Sequence, residues 1–223
     1  MNLTVRELDV RSNADVKALA ADVPSPVHVV VNNAGYGLFG TQEETDLEQV
    51  RDLLDVNVLG PARVTQAFLP QLRETGGALV QLSSVAGRMV FPESGFYAAT
   101  KHAVDAMSQA VALEACPLGV RVRVMEPGAF ATQFYATAAE CSPERKAGSA
   151  YHPLHDRWDG WREDVLEEPQ DPQLVADAIR ASLRSVEPFL RIPVGEDAKR
   201  ILTRLESIGD AAWTEMALDR CGA

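Results

Sequence analysis

The chain has 223 residues, 46% of them hydrophobic, enough to bury a substantial core in one domain. Thirty-two acidic against 21 basic side chains leave a formal charge of -11, which repels phosphate backbones and excludes a broad nucleic-acid interface. No apolar run reaches the roughly 18 residues that would span a bilayer, and Cys116, Cys141 and Cys221 form no C-x-x-C pair, so no membrane span, disulfide framework or metal site is expected and a cytoplasmic setting is.

In chain order, residues 3–10 read as an extended stretch carrying Leu3, Val5 and Leu8, and residues 12–21 as a short helix with Val16, Leu19 and Ala20 on one side. Residues 27–31 are a β-branched run without alternation, the pattern of a parallel strand covered on both faces. A long helix follows, opened by a capping box of Thr45 and Glu48 and expected to run to about Arg73. The rhythm then repeats: strand 78–82, helix 97–115, strand 120–125, helix 172–183 and strand 188–194, which predicts βαβ units and a parallel sheet. Between Phe130 and Pro169 the pattern breaks into a polar, irregular stretch carrying Tyr135, Tyr151, His152, Trp158 and Trp161, which is expected to be functional. Residues 196–223 read as one helix and a loose end.

Several residues carry chemistry. Tyr97 and Lys101 are four apart, so a phenol and an ammonium share one face of a helix. Ser84, in Ser83-Ser84-Val85-Ala86-Gly87, stands where the preceding strand ends, the edge at which open parallel sheets bind ligands, and Ser83 is expected to serve as the turn or cap residue. Asn57 is an amide in an apolar run, and Pro61, four residues later, has no N–H to bond its carbonyl; the same residues fit an ordinary proline-kinked helix with a satisfied core Asn. Asn32-Asn33-Ala34-Gly35 and Glu126-Pro127-Gly128 close two other strands with small or amide residues that admit a ligand to the backbone. The letters of Gly35-x-Gly37-x-x-Gly40 match a dinucleotide fingerprint, but they follow the wrong strand and open no predicted helix.

Together N-N-A-G, N-V-x-G, S-S-V-A-G, Y-A-A-T-K and E-P-G-x-x-x-T, in this order, resemble the short-chain dehydrogenase/reductase family, closely so over residues 8–132, and residues 190–195 look like its 17β-hydroxysteroid and retinol dehydrogenase subgroup. The resemblance implies an α/β Rossmann-type fold, a doubly wound parallel sheet with helices on both faces, formed by residues 1–223 as a single domain with residues 130–169 as a substrate lid. It implies an NAD- or NADP-dependent oxidoreductase that interconverts an alcohol and a ketone or aldehyde on a mostly apolar small molecule, as a homodimer or homotetramer. By the same resemblance Tyr97 is the proton donor or acceptor and Lys101 lowers its pKa while binding the nicotinamide ribose. Ser84 bonds the substrate oxygen, and the Asn57 carbonyl holds the water of a proton relay. Asp9 and Val10 lie at the adenine, Asn33, Ala34 and Gly35 along the adenosine, Pro127 and Gly128 at the cofactor edge, and Phe130 and Thr132 at the nicotinamide amide and phosphates.

The family's T-G-x-x-x-G-x-G loop is not found in the sequence, and the pattern implies roughly 50 further residues, a first βαβ unit, ahead of residue 1. Met1 is therefore expected to be an internal methionine or the gene to be shortened. The 223-residue form is expected to bind NAD(P) negligibly, with residues 3–10 pairing directly with 27–31 or leaving an apolar strand edge open. The alternatives are an inactive relative acting as a binding or dimerisation module, and a non-redox epimerase, dehydratase or dehalogenase, the last disfavoured by Lys101 where the dehalogenase pattern has arginine.

Overall fold

The computed structural model describes residues 3–24, 26–166 and 169–222, with the side chains of residues 161–166 and 220 outside the description. Four strands, β1 (Val29–Asn32), β2 (Ala78–Leu82), β3 (Arg121–Pro127) and β4 (Phe189–Val194), form one sheet in that order. All three pairings are parallel, with Val29 opposite Ala78, Leu79 opposite Val122 and Met125 opposite Ile192. Parallel neighbours need crossovers, and helices supply them.

Side chains alternate across the strands, so each face gathers its own core. On one face Leu79 and Val30 meet Val16 from α1 (Asn13–Asp22) and, beyond α2 (Leu47–Leu54), Val64, Phe68 and Leu72 from α3 (Gly60–Thr75). Burying residues such as Leu72 and Leu79 completely stabilises the fold by roughly 2 kcal/mol each. On the opposite face Val80, Met125 and Val194 pack on the far crossover, Val175 and Ile179 of α7 (Gln173–Ser182). Beside α3, on the Leu79 face, α4 (Gly95–Ala115) buries Tyr97, Lys101, Val104, Asp105, Ser108, Ala112 and Ala115, a stripe at the three- and four-residue spacing of one helical face.

Residues 47–75 form a continuous helical rod broken by a π-helical turn, Asp55–Leu59, that contains Asn57 and precedes Pro61 in the first turn of α3. Proline and a π turn are both recognised causes of kinks, and here they coincide at the predicted place. Arg123, fully buried on β3, donates to the carbonyls of Ser182 (3.1 Å) and Ser185 (2.9 Å), satisfying the end of α7 from beneath.

Several expectations are corrected. Residues 3–10 form no strand and do not pair with β1, whose ladder partner among the described residues is β2 alone. Leu8 and Val10 do pack on the core, but Leu3 and Val5 are exposed, since an extended segment without a ladder has nothing to fix it. The strand at 27–31 is not covered on both faces: β1 alternates, with Val30 buried and Val29 and Val31 open. Asp46 rather than Thr45 caps α2, accepting the Glu48 N–H at 2.9 Å, because the Thr45 hydroxyl is already donated to the Thr41 carbonyl at 2.7 Å. The irregular insert is in fact helical, α5 (Phe134–Cys141) and α6 (His152–Leu166), although Trp161's side chain and residues 167–168 lie outside the described residues. In place of a loose end, α8 (Glu196–Cys221) runs on through a break at Gly209, whose φ of 77° only glycine adopts freely. No helix of the described residues is long and apolar enough to cross a membrane.

Candidate active site

The carboxyl ends of β1, β2 and β3 converge beside the N-terminal half of α4, and the candidate residues stand there. Ser84 follows β2 directly. Its hydroxyl accepts the Ala86 N–H at 3.1 Å, capping the turn Val85–Gly87, and stands near enough the Tyr97 phenol to favour its ionised form. The cap is thus Ser84 itself and not Ser83, whose Oγ is buried without a hydrogen-bond partner among the described residues. Both roles are compatible because a hydroxyl has one donor and two acceptor sites.

Tyr97 and Lys101 lie one turn apart on α4, with the Lys101 Nζ 5.7 Å from the Tyr97 ring centre and donating to the Leu82 carbonyl at 2.8 Å. Both are almost wholly buried. Burial raises the Tyr97 phenol above its ordinary range, and the Ser84 side chain works against that rise. Burial also pushes the Lys101 ammonium down to about 8, with the Asp105 carboxylate working against that fall.

Asn57, 1% exposed, is fixed by its side chain. Its Oδ1 accepts the Tyr36 N–H at 3.0 Å, and its Nδ2 donates to the Tyr36 carbonyl at 2.8 Å and to Thr100 Oγ1 at 3.2 Å. The amide therefore ties the loop after β1 to α4 through the π turn. Asn32, which the sequence reading passed over in favour of Asn33, does comparable work: its Nδ2 donates to the Pro61 carbonyl and to Thr65 Oγ1, at 3.3 and 3.1 Å.

The next residues of that loop, Asn33, Ala34 and Gly35, are exposed. A Cβ added at Gly35 would lie 3.1 Å from Asn57 Oδ1 and 3.8 Å from Lys101 Nζ, so this glycine keeps the approach to the lysine open. Pro127 and Gly128 close β3, and a Cβ at Gly128 would collide with the Asp197 carboxylate, which accepts the Ala129 N–H at 2.7 Å. Phe130 is buried and bridges to Gln170, while the exposed Thr132 caps Phe134 through its hydroxyl at 3.3 Å. Asp9 and Val10 stand apart from these: Arg11 holds the Asp9 carboxylate and keeps its pKa below the ordinary value, and Val10 packs against Gly60. The cradle at Gly35 and Lys101 fits the ribose half of a nicotinamide dinucleotide, whereas the phosphate half has no glycine loop in this sequence.

The insert closes over Tyr97. Its two ends are clasped by the Ala131 N–H to the Gln170 carbonyl at 2.9 Å, and its helices bring an aromatic wall. Phe134 lies 5.4 Å and Phe39 6.0 Å from the Tyr97 ring, and Tyr135 and Trp158 flank Phe39 at 6.4 and 6.2 Å. The glycines of residues 35–40 serve this packing rather than a phosphate: a Cβ at Gly37 would come within 2.9 Å of Phe134, and one at Gly40 within 2.8 Å of Pro143. Next to Phe39 lies a cavity of about 220 Å³ lined in part by Glu44, Glu93, Arg145 and His155. There His155, 3% exposed, binds Glu93 through Nδ1 and sits 3.3 Å from Glu44 through Nε2. Arg145 reaches Glu93 at 3.3 Å and pairs with Asp159. Glu93 takes a left-handed φ of 57°, a conformation uncommon outside glycine. Neither Glu93 nor His155 gave a signal in the sequence, because neither belongs to a spaced motif.

The short chain dehydrogenase family model matches residues 1–142. An oxidoreductase of Bacillus subtilis, YusZ, is 30% identical over 95% of this chain and 78% of its own length. Mouse 17-beta-hydroxysteroid dehydrogenase type 1 is 37% identical over 85% of this chain, which spans 56% of that protein. Among solved structures, a short-chain dehydrogenase from Streptomyces avermitilis superposes with a TM-score of 0.76 at 37% identity, covering 91% of this chain and 74% of its own. An alcohol dehydrogenase from Thermococcus sibiricus, complexed with 5-hydroxy-NADP, superposes at 0.65 with 27% identity over 83% of this chain and 72% of its own. The parallel sheet, the Ser84, Tyr97 and Lys101 cluster at its carboxyl edge, and these likenesses lead to one assignment: the chain belongs to the short-chain dehydrogenase family.

Proposed function

We propose that this protein is an NAD(P)-dependent oxidoreductase interconverting an alcohol and a ketone or aldehyde on a mostly apolar substrate. The observation that carries the reading is the placement of Lys101 Nζ 5.7 Å from the Tyr97 ring, one turn away on α4, with Ser84 beside the phenol and Phe134 over it. When bound, the nicotinamide supplies or takes up the hydride. Lys101 and the open backbone at Gly35 would hold its ribose, with Asn33, Ala34, Pro127, Gly128, Phe130 and Thr132 along the same edge. Tyr97 Oη delivers or receives the proton at the substrate oxygen, and Ser84 Oγ, beside the phenol, orients that oxygen. The carbonyl of Asn57 is assigned the water that connects Lys101 to solvent. Phe39, Phe134 and Tyr135 exclude bulk water from the reacting atoms and present apolar faces to the substrate.

Turnover of Tyr97→Phe tests this. In a form of the protein shown to bind NAD(P), with a substrate identified by screening alcohols and ketones, kcat is expected to fall at least about a hundredfold with cofactor affinity nearly unchanged, since a general acid or base acts in the transition state. Lys101→Ala is expected to weaken both. Turnover by Tyr97→Phe near the parent rate would refute the role of the phenol.

A further inference from the structure

Behind Lys101 lies a buried group of charges for which the reaction as proposed has no use. Asp105, 4% exposed, follows Lys101 by four residues on α4, so the two side chains leave the same face one turn apart. One of its oxygens, Oδ2, pairs with Arg191 of β4; the other, Oδ1, is buried and makes no hydrogen bond among the described residues. Arg191 also reaches Glu126, 1% exposed on β3, at 3.5 Å, and Glu126 in turn faces Arg88 at 3.5 Å, which meets Glu206 near the surface at 3.6 Å. From Lys101 outward the signs alternate: Lys101, Asp105, Arg191, Glu126, Arg88, Glu206. The turn bearing Ser84 rests on the same carboxylate, since a Cβ at Gly87 would lie 3.2 Å from Asp105 Oδ2 and 2.5 Å from Ser83 Oγ.

A buried carboxylate oxygen without a hydrogen bond costs stability, and a purely structural anchor between α4 and β4 would be served as well by apolar side chains at both positions. We propose that Asp105 is a positioning residue for Lys101, a negative charge one helical turn away that favours the ammonium form in its buried position, while Arg191 holds the Asp105 carboxylate in place. The proposal rests on the dehydrogenase reading only for the use made of Lys101. The direction is consistent: burial lowers the Lys101 pKa to about 8 and Asp105 is the charge that opposes it. Glu126 feels Asp105 as a like charge and is raised, mainly by burial, so Arg191 stands between two carboxylates that would otherwise repel.

The test is a titration of the lysine side chains by ¹³C NMR in the protein without added cofactor. The chain has four lysines, Lys17, Lys101, Lys146 and Lys199, so each signal is assignable by single substitution. In Asp105→Asn the Lys101 midpoint is expected to fall by roughly half a pH unit or more, a threefold change in the ammonium-to-amine ratio at fixed pH, with the other three unmoved. Asp105→Glu, which keeps the charge, should leave it near the parent value. Asp105→Ser gives a second neutral variant with room for water beside Arg191. An unmoved Lys101 midpoint in either folded neutral variant would overturn the proposal, and so would failure of both to fold, which would leave Asp105 a structural role alone. Because the readout needs no turnover, absence of NAD(P) chemistry would sink the dehydrogenase reading and leave this result standing.

Discussion

Removing the imidazole of His155 should loosen the lid before it harms the sheet. In His155→Ala, Glu93, 3% exposed in its side chain, loses the Nδ1 contact and keeps only Arg145 at 3.3 Å. Breaking a buried pair by deleting one partner costs about 3 to 5 kcal/mol, because the remaining charge is left uncompensated. Here Arg145 stays, and the adjoining cavity of about 220 Å³ can admit water to the carboxylate, so a smaller loss, roughly 2 to 3 kcal/mol, is expected. For a chain of 223 residues each kcal/mol moves Tm by about 2 to 4 °C, which gives a fall on the order of 4 to 12 °C if the lid and sheet melt together. If they do not, the loss appears as faster amide hydrogen exchange in residues 134–160 while β2 and β3 keep their protection. The double variant Glu93→Gln with His155→Ala should recover part of the loss, because a neutral amide needs no counter-charge. A single variant within 0.5 kcal/mol of the parent, with unchanged exchange in α5 and α6, would refute the latch; a double variant worse than the single one would refute its electrostatic basis.

Other outcomes follow from the same geometry. Gly35→Ala should cost less than about 1 kcal/mol of stability, its φ being ordinary, yet weaken NAD or NADP binding tenfold or more in titration calorimetry, since the new methyl stands 3.8 Å from Lys101 Nζ. Arg123→Met should destabilise by about 2 to 4 kcal/mol in urea denaturation, because the Ser182 and Ser185 carbonyls lose charge-assisted donors. The lysine pKa makes stability depend on pH: a folded value of about 8 against an ordinary 10.5 means the folded state binds fewer protons in that window, so stability climbs as pH rises through it. Lys101→Met should flatten the climb and, net of the lost Leu82 hydrogen bond, raise stability at pH 7 by roughly 2 kcal/mol while turnover is lost; a parent-like slope of Tm against pH would contradict this.

The strands at 78–82, 120–125 and 188–194 were legible because short apolar segments alternating with helical ones leave few other choices, and Tyr97 and Lys101 because a helix dictates which spacings share a face. Asn57 was legible through its proline, although its side chain's grip on Tyr36 was not: that contact joins residues 21 apart, and no local pattern encodes it. The lid was misread as irregular for a related reason. The sequence from Phe134 to Leu166 has no strong apolar stripe, and its helices are held by single long-range contacts such as Phe39 N–H to Ser142 Oγ at 2.9 Å and Gln49 Nε2 to the Cys141 carbonyl at 2.9 Å. Residues 3–10 mislead in the opposite direction, since extended propensity says nothing about whether a ladder partner stands alongside.

The π-helical turn at Asp55–Leu59 has a consequence for which changes of length this protein tolerates. In an unbroken α-helix each residue advances by about 100°, so Leu53 and Val64, eleven positions apart, would point the same way. They do not serve the same partners: Val50 and Leu53 pack with Leu38, whereas Val64, Phe68 and Leu72 pack on the sheet. The wider turn absorbs one residue and sets the two halves of the rod out of phase by roughly a quarter revolution. Because that residue is the one the wide turn absorbs, deleting it would leave a regular spiral whose halves still face Leu38 and the sheet, whereas deleting one residue from the α-helical part on either side would turn one half by about 100°. Shortening the rod by one residue outside this turn should therefore do more damage than shortening the turn itself with Asn57 kept.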